Sequence, residues 1–246
     1  MPLRRYGMSS AFEDRHMDAD RPVTAQTQSG GRPVLVWDMP TRLFHWLVVV
    51  LVAAAYVTSR LNWMDWHVRI GEALLALVLF RLLWGFFGSE TARFRGFLRA
   101  PAAAWQHLRH VFRREADLQV GHNAAGGWMV LLLLALLLGE TLSGLYVNND
   151  VADDGPLTQW VPAAIANAIT ALHTILWDAL LAAVALHVLA IAVYAVAKGD
   201  NLLRPMLTGR KRLPERIRAP RQASIMLALL LLVISVTLVT LMTTYL

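Results

Sequence analysis

Two histidines lie in one apolar segment of the chain. His173 and His187 fall in ALHTILWDALLAAVALHVLAIAVYAV, residues 171–196, and are 14 residues apart. Ionisable groups are costly inside a bilayer and usually mark function there. Fourteen helical residues rise by about 21 Å and come close to a whole number of turns. The spacing therefore predicts two imidazoles on the same face of one membrane helix, at two depths.

Two more histidines lie in predicted membrane spans. His45 is near the inner end of the first span, and His67 is at the outer start of the second. Depth sorts the four into an inner pair, His45 with His187, and an outer pair, His67 with His173. Imidazole is a common axial ligand of haem iron, and helical bundles build cofactor sites from facing helices. The pattern predicts two bis-histidine haems stacked across the membrane.

Each of these histidines also has a plain structural interpretation. A single membrane histidine can cap a helix, form a hydrogen bond or lie at the interface, where its cost is small. Zinc is disfavoured, because each pair supplies two ligands whereas zinc sites use three or four protein ligands. Four histidines that pair by depth across three helices favour haem.

The composition indicates an integral membrane protein. Hydrophobic residues make up 57% of the 246 residues, and the mean hydropathy is +0.47. The net charge is +6, but without a nucleic-acid motif we predict no nucleic-acid partner. The chain has no cysteine. It therefore carries no disulfide, no cysteine-ligated cluster and no thioether-attached haem.

The charges of the loops predict the orientation. The loops 89–124 and 198–222 are rich in arginine and lysine, whereas 148–162 has neither and contains three aspartates. The positive-inside rule then places the N-terminus in the cytoplasm and the C-terminus in the periplasm. Apolar segments long enough to cross a bilayer lie at about 43–60, 68–88, 125–147, 163–197 and 223–246.

These segments predict an all-α integral membrane protein. Residues 1–33 are polar and are predicted to form a disordered cytoplasmic tail. Residues 34–212 contain the first four spans, three of which carry the paired histidines. Residues 213–246 add a linker and a fifth, C-terminal transmembrane helix. This last span has no histidine, tryptophan or charge, which suggests a peripheral anchor or a helix that faces a partner.

Three arginines lie close to the histidines. Arginine binds carboxylates through a planar fork, and haem propionates are carboxylates. We expect Arg42 and Arg81 to bind the propionates of the inner haem and Arg69 those of the outer haem. The alternative is that these side chains only extend along the membrane interface.

Two acids lie in the outer half of the predicted bundle. Glu140 and Asp178 could relay protons or bind a quinol hydroxyl, or they could only form interhelical hydrogen bonds, for example to Thr141 or Ser143. At the cytoplasmic side, Asn123 is a predicted helix N-cap. His122, beside it, could contact a headgroup, a propionate or a quinone.

The loop 89–124 is predicted to contain an amphipathic helix at the membrane interface. We expect Phe94, Phe97, Leu98 and Trp105 to face lipid. His107 and His110 are expected to be solvated.

Several segments together resemble the bacterial cytochrome b561 family, which includes the b-type cytochrome subunits of nickel–iron hydrogenases. The resemblance covers roughly residues 34–212, with five motifs in the order of the family. They are VWDMPTRLFHW (36–46), WHVRIGEALLALVLFRLLWGFFGS (66–89), GHNAAGGWMV (121–130), LHTILWDALLAAVALH (172–187) and KGDNLLRPMLTGRKR (198–212).

The resemblance implies a four-helix bundle with two non-covalent b haems, whose ligands fall on His45, His67, His173 and His187. It also implies a bacterial inner membrane location and electron exchange between the quinone pool and a partner redox protein. That partner is expected to be a periplasmic c-type cytochrome, which could dock on the outer loop, or a dehydrogenase or hydrogenase subunit. A homodimer is left open.

A histidine-based transporter of protons or divalent metal is the alternative function. It would explain charged and histidine side chains within the spans. It lacks the paired Gly/Pro-interrupted segments typical of transporters, and it predicts no visible absorption.

Overall fold

Capping side chains mark where two of the long helices begin. The Asp38 carboxylate accepts a hydrogen bond of 2.7 Å from the backbone N–H of Thr41, and Pro40 lies in the first turn of the same helix. The Asn123 side chain accepts one of 2.7 Å from the N–H of Gly126, which confirms the predicted N-cap. Both caps pair N–H groups that a helix start otherwise leaves without partners.

The computed structural model describes residues 31–98, 100–109, 119–148, 154–199 and 201–245. Almost all of the predicted disordered tail, together with His110, Asp150 and Asp153, lies outside these residues. The helices are Met39–Arg60 (α1), Met64–Phe87 (α2), Phe94–Phe97 (α3), Pro101–Arg109 (α4), Ala124–Gly144 (α5), Ala163–Val193 (α6), Leu203–Thr208 (α7) and Ile225–Tyr245 (α8).

Five of the described helices are long and apolar enough to cross a membrane. They are α1, α2, α5, α6 and α8, and a π-helical turn, Tyr194–Lys198, follows α6. The five predicted spans are therefore confirmed to within a few residues. The fold is a mostly helical membrane bundle with an added C-terminal helix.

The second helix lies at the centre of the bundle. It packs against α1, α5 and α8, and α5 packs against α6. The buried side chains of α8 recur every three or four residues along one face, as expected for a helix with one packed side. This face contacts α2, so the fifth helix is built into the bundle, while its other faces are exposed. Its buried residues are Ala228, Leu231, Ser235 and Val239.

A small sheet, which the sequence did not suggest, ties the two ends of the four-helix region together. Strand β1, Arg32–Leu35, pairs antiparallel with β2, Arg210–Leu213. Gly209 precedes β2 in a left-handed conformation (φ 78°), and its carbonyl accepts hydrogen bonds from the N–H groups of Val36 and Trp37. A Cβ at this glycine would lie 2.8 Å from the Trp37 carbonyl oxygen, so the close approach requires glycine.

The predicted lipid-facing position of two phenylalanines is wrong. Phe94 and Phe97 are 8% and 3% exposed and pack with Leu134, whereas Trp105 is exposed as expected. Their rings occupy space left by two glycines. A Cβ at Gly85 would collide with the Phe94 ring, and one at Gly127 would lie 2.9 Å from Phe97 Cδ2.

Candidate functional site

The four histidines form two facing pairs. His45 on α1 faces His187 on α6, and His67 on α2 faces His173 on α6. The ring centroids are 6.5 Å apart in both pairs. The partners are those that depth along the helices predicted. We call the regions around them the His45 end and the His67 end.

The separation leaves room for one metal ion in each pair. Bonds of about 2 Å from a metal to the nearest nitrogens of two facing imidazoles place the ring centroids roughly 6 Å apart. The measured 6.5 Å is close to that value. Among the described residues, no group of three or more His, Cys, Asp or Glu side chains could hold a metal. The arrangement thus suits an ion with two axial protein ligands.

At the His67 end, protein groups hold both imidazoles. His67 Nδ1 donates a hydrogen bond of 2.9 Å to the carbonyl oxygen of Ala55 on α1. His173 Nδ1 lies 3.0 Å from the hydroxyl oxygen of Ser143 and 3.0 Å from the carbonyl oxygen of Glu140. A proton on Nδ1 leaves Nε2 of each ring with a lone pair, which is the form that binds metal.

The Glu140 carboxyl group also reaches this end. Its Oε1 lies 3.4 Å from His173 Nε2, and its Oε2 is buried without a hydrogen-bond partner among the described atoms. Metal binding at Nε2 therefore requires this carboxyl group to turn aside. The second predicted acid, Asp178, is exposed on α6.

The His45 end contains polar atoms that the protein does not pair. Six buried side-chain nitrogen and oxygen atoms of the described residues have no hydrogen-bond partner, and five of them belong to residues at this end. Four are nitrogens that can donate. Such atoms are costly to bury unpaired, so this end suits a bound group with acceptor oxygens. The five atoms are Thr41 Oγ1, Arg42 Nε, His45 Nδ1, Arg81 Nη1 and His122 Nδ1.

Two of the three predicted arginines lie at the His45 end. Arg81 is 3% exposed, and its guanidinium carbon lies 5.4 Å from the centroid of the Phe94 ring. Arg42 donates a hydrogen bond of 2.7 Å to the carbonyl oxygen of Leu207. The third arginine, Arg69, is exposed, with its guanidinium carbon 5.9 Å from the Trp66 ring centroid.

Sequence reasoning missed Asp38 as part of this end. Besides capping α1, its carboxylate accepts a hydrogen bond of 3.0 Å from Trp84 Nε1, and its charge interacts with that of Arg81. A buried acid beside a buried arginine balances part of its charge. The available signal was an aspartate directly before a helix with proline in its first turn, which is typical of an N-cap.

His122 lies between two aromatic rings. Its centroid is 4.5 Å from that of Trp37 and 4.9 Å from that of Phe97. Burial lowers its pKa to about 3, and the positive charge of Arg81 adds to the effect. The ring is therefore neutral at physiological pH. It also lines a cavity of about 220 Å³ together with Glu90 and Arg218.

An apolar layer separates the two ends. Val78, Leu137 and Leu180, from α2, α5 and α6, are buried together between the two depths. Trp177 packs against them and stacks on Tyr56 with a centroid distance of 5.6 Å. The layer excludes water between two sites that lie about 21 Å apart along α6.

The sequence profile of prokaryotic cytochrome b561 matches residues 36–209. The chain belongs to this family. No curated protein and no solved structure matches it. As a cytochrome b561, the protein binds b haem and transfers electrons across a membrane. The matched region contains all four paired histidines and ends at Gly209, so α8 lies outside it.

Proposed function

We propose that this cytochrome b561 holds two b haems, one between His45 and His187 and the other between His67 and His173. The observation that carries the proposal is the equal 6.5 Å separation of the two pairs at opposite ends of the bundle. Haem supplies reversible one-electron chemistry when bound. The protein supplies the imidazole ligands, burial and charged partners that tune the haem.

The arginines are proposed to bind the haem propionates. Arg42 and Arg81 serve the His45 end, and Arg69 serves the His67 end. Support is strongest for Arg81, because its guanidinium is buried and Nη1 lacks a hydrogen-bond partner among the described atoms. A propionate would satisfy this donor through a charge-assisted hydrogen bond.

The His45 end is proposed to face the cytoplasm of a bacterial inner membrane. Exposed arginines of the α7–α8 region, among them Arg204, Arg210 and Arg212, lie on the same side of the bundle. Arginine-rich loops remain in the cytoplasm during insertion. The N-terminus is then cytoplasmic, and the C-terminus, after α8, is periplasmic.

Electrons are proposed to pass between the membrane quinone pool and a partner redox protein. The partner is a periplasmic c-type cytochrome, or a dehydrogenase or hydrogenase subunit. Asp154 is exposed on the outer loop, where acidic charge would attract a basic partner. The other two aspartates of this loop lie outside the described residues. Co-purification from native membranes would identify the partner and show whether the protein forms a homodimer.

A reduced-minus-oxidised visible spectrum, with haem counted per purified polypeptide, tests the proposal. Two non-covalent b haems with low-spin bands are expected. One haem would mean that one histidine pair is assigned wrongly. No haem, in protein produced with ample haem supply, would overturn the proposal and direct attention to proton or divalent-metal transport in vesicles.

A further inference from the structure

We propose that Ser143 and Gly144 of α5 position the His173 imidazole and thereby set the reduction potential of the haem at the His67 end. This inference rests on the proposed function, because it takes His173 as an axial ligand. It assigns both residues as positioning residues, which act on the haem only through the imidazole.

Ser143 presents an acceptor to the imidazole. Its hydroxyl group donates to the carbonyl oxygen of Glu140 at 3.0 Å, so the lone pairs of Oγ are free to accept. Oγ lies 3.0 Å from His173 Nδ1, and the serine is only 7% exposed. The Nδ1 proton is therefore shared between this hydroxyl and the Glu140 carbonyl, which is itself 3.0 Å away.

Gly144 provides the space that the ring occupies. A Cβ at this position would lie 3.3 Å from His173 Cε1 and 3.8 Å from Nδ1. The imidazole therefore lies against the backbone of α5. An alanine there would push the ring by a few tenths of an ångström, while the Ser143 contact would resist rotation.

A hydrogen bond at Nδ1 changes how strongly the imidazole donates electron density to the iron through Nε2. An imidazole that donates from Nδ1 is a more basic ligand at Nε2, and it stabilises the oxidised metal. Loss of an acceptor at Nδ1 should therefore raise the reduction potential. His67 makes the same kind of contact with the main-chain carbonyl of Ala55, which a substitution cannot remove. Ser143 is the side chain through which this effect can be tested.

The chain offers a matched control for each substitution. Ser235 on α8 is also buried and donates its hydroxyl proton to a carbonyl of its own helix, that of Leu231, at 2.8 Å. Gly139 lies on the same helix as Gly144, and a Cβ there would meet Leu176 Cδ1 of α6 at 3.2 Å. The controls remove a buried hydroxyl or add a methyl group at a similar degree of crowding, and neither contact involves a histidine side chain.

The experiment compares Ser143→Ala and Gly144→Ala with Ser235→Ala and Gly139→Ala in the full-length, haem-loaded protein. Potentiometric titration gives the reduction potential of each haem, and electron paramagnetic resonance of the oxidised protein reports on the orientation of its axial ligands. We expect Ser143→Ala to raise the potential of one haem only. Gly144→Ala should alter the resonance of that same haem, and both controls should match the unsubstituted protein.

The affected haem should be the one that His173→Ala eliminates. Ser143→Ala and Gly144→Ala proteins whose two haems are indistinguishable from those of the controls would overturn the inference and leave the proposed function intact. Fewer than two haems in the unsubstituted protein would instead overturn the proposed function, and this count precedes the comparison of variants.

Discussion

The two ends of the bundle differ in the hydrogen bonds that their histidines form. At the His67 end, Nδ1 of both rings has a protein acceptor within 3.0 Å. At the His45 end, Nδ1 of His45 is buried with no partner among the described atoms, as are nitrogens of Arg42, Arg81 and His122. The chain itself orients the histidines at one end, whereas the other end presents donors without a partner among the described atoms, which a ligand would satisfy.

The two ends differ in whether their buried side chains form hydrogen bonds before a ligand binds or only when it binds. An unsatisfied buried polar group costs about 1–3 kcal/mol, so an anionic group that accepts from these donors should stabilise the His45 end. Binding there should stabilise the fold more than binding at the His67 end, where the hydrogen bonds already exist. The following substitutions test this contrast.

Loss of a ligand should have the largest effect. His187→Ala should remove only the haem of the His45 end, and His173→Ala only that of the His67 end, because each helix position serves one pair. Haem extracted per polypeptide should fall from two to one in each variant, and the two variants should retain haems of different potential.

His122→Gln is the matched control for this loss. His122 lies near the same end but faces two aromatic rings rather than a second histidine. The His122→Gln variant should keep both haems, and a single haem in this variant would show that His122 also holds a haem at this end.

Arg81→Leu should weaken haem retention at the His45 end. Hydrogen bonds to charged groups contribute about 1.5–3 kcal/mol, which corresponds to roughly ten- to a hundredfold in affinity. Transfer of haem to an excess of haem-free globin measures retention at each site. Arg81→Lys should restore part of it, because the charge remains.

Arg69→Leu provides the comparison at the other end. Arg69 is exposed, so its contribution is screened by solvent and should be small. Equal losses from Arg69→Leu and Arg81→Leu would contradict the contrast between the two ends.

Acid should destabilise the protein through His122. Its pKa falls from 6.5 in the unfolded chain to about 3 in the fold, mainly because of burial. Between these values the unfolded chain binds a proton that the folded chain does not, so stability decreases as the pH falls below 6.5. The loss should reach about 2 kcal/mol at pH 5. Denaturant unfolding at pH 7 and pH 5 should show a smaller difference in His122→Gln, and an unchanged difference would rule this account out.

Asp38→Ala should destabilise the fold. It removes the N-cap of α1 and the acceptor for Trp84 Nε1 at the His45 end. Loss of a cap costs about 0.5–2 kcal/mol. Asp38→Asn keeps an acceptor oxygen and should lose less. Thermal unfolding of the two variants measures the difference, and equal midpoints would show that the cap contributes nothing.

Helical periodicity and depth in the membrane allowed much of this arrangement to be predicted from the sequence. Apolar length located the five spans, and the 14-residue spacing placed His173 and His187 on one face of α6. Both properties are local to one helix. The pairing with His45 and His67 followed because helices that cross the same membrane bring residues of equal depth together.

The remaining features depend on contacts between distant segments. Phe94 has the polarity of a lipid-facing residue, but it is buried because Gly85 leaves room for its ring. Nothing in RPVL or RKRL alone predicts that β1 and β2 pair, since each strand has only four residues. The acceptor role of Ser143 depends on where α6 carries His173, which hydropathy does not reveal.

The placement of α6 has a consequence for how the protein is made. This helix contributes one histidine to each pair, and more than 160 residues precede it in the chain. On the proposed ligand assignment, the ribosome has therefore synthesised the first three spans before either site can gain its second ligand. Strand β2 then follows and pairs with β1 from the start of the bundle. Haem loading is thus a late event in biogenesis, completed when the last helix of the four meets the first two.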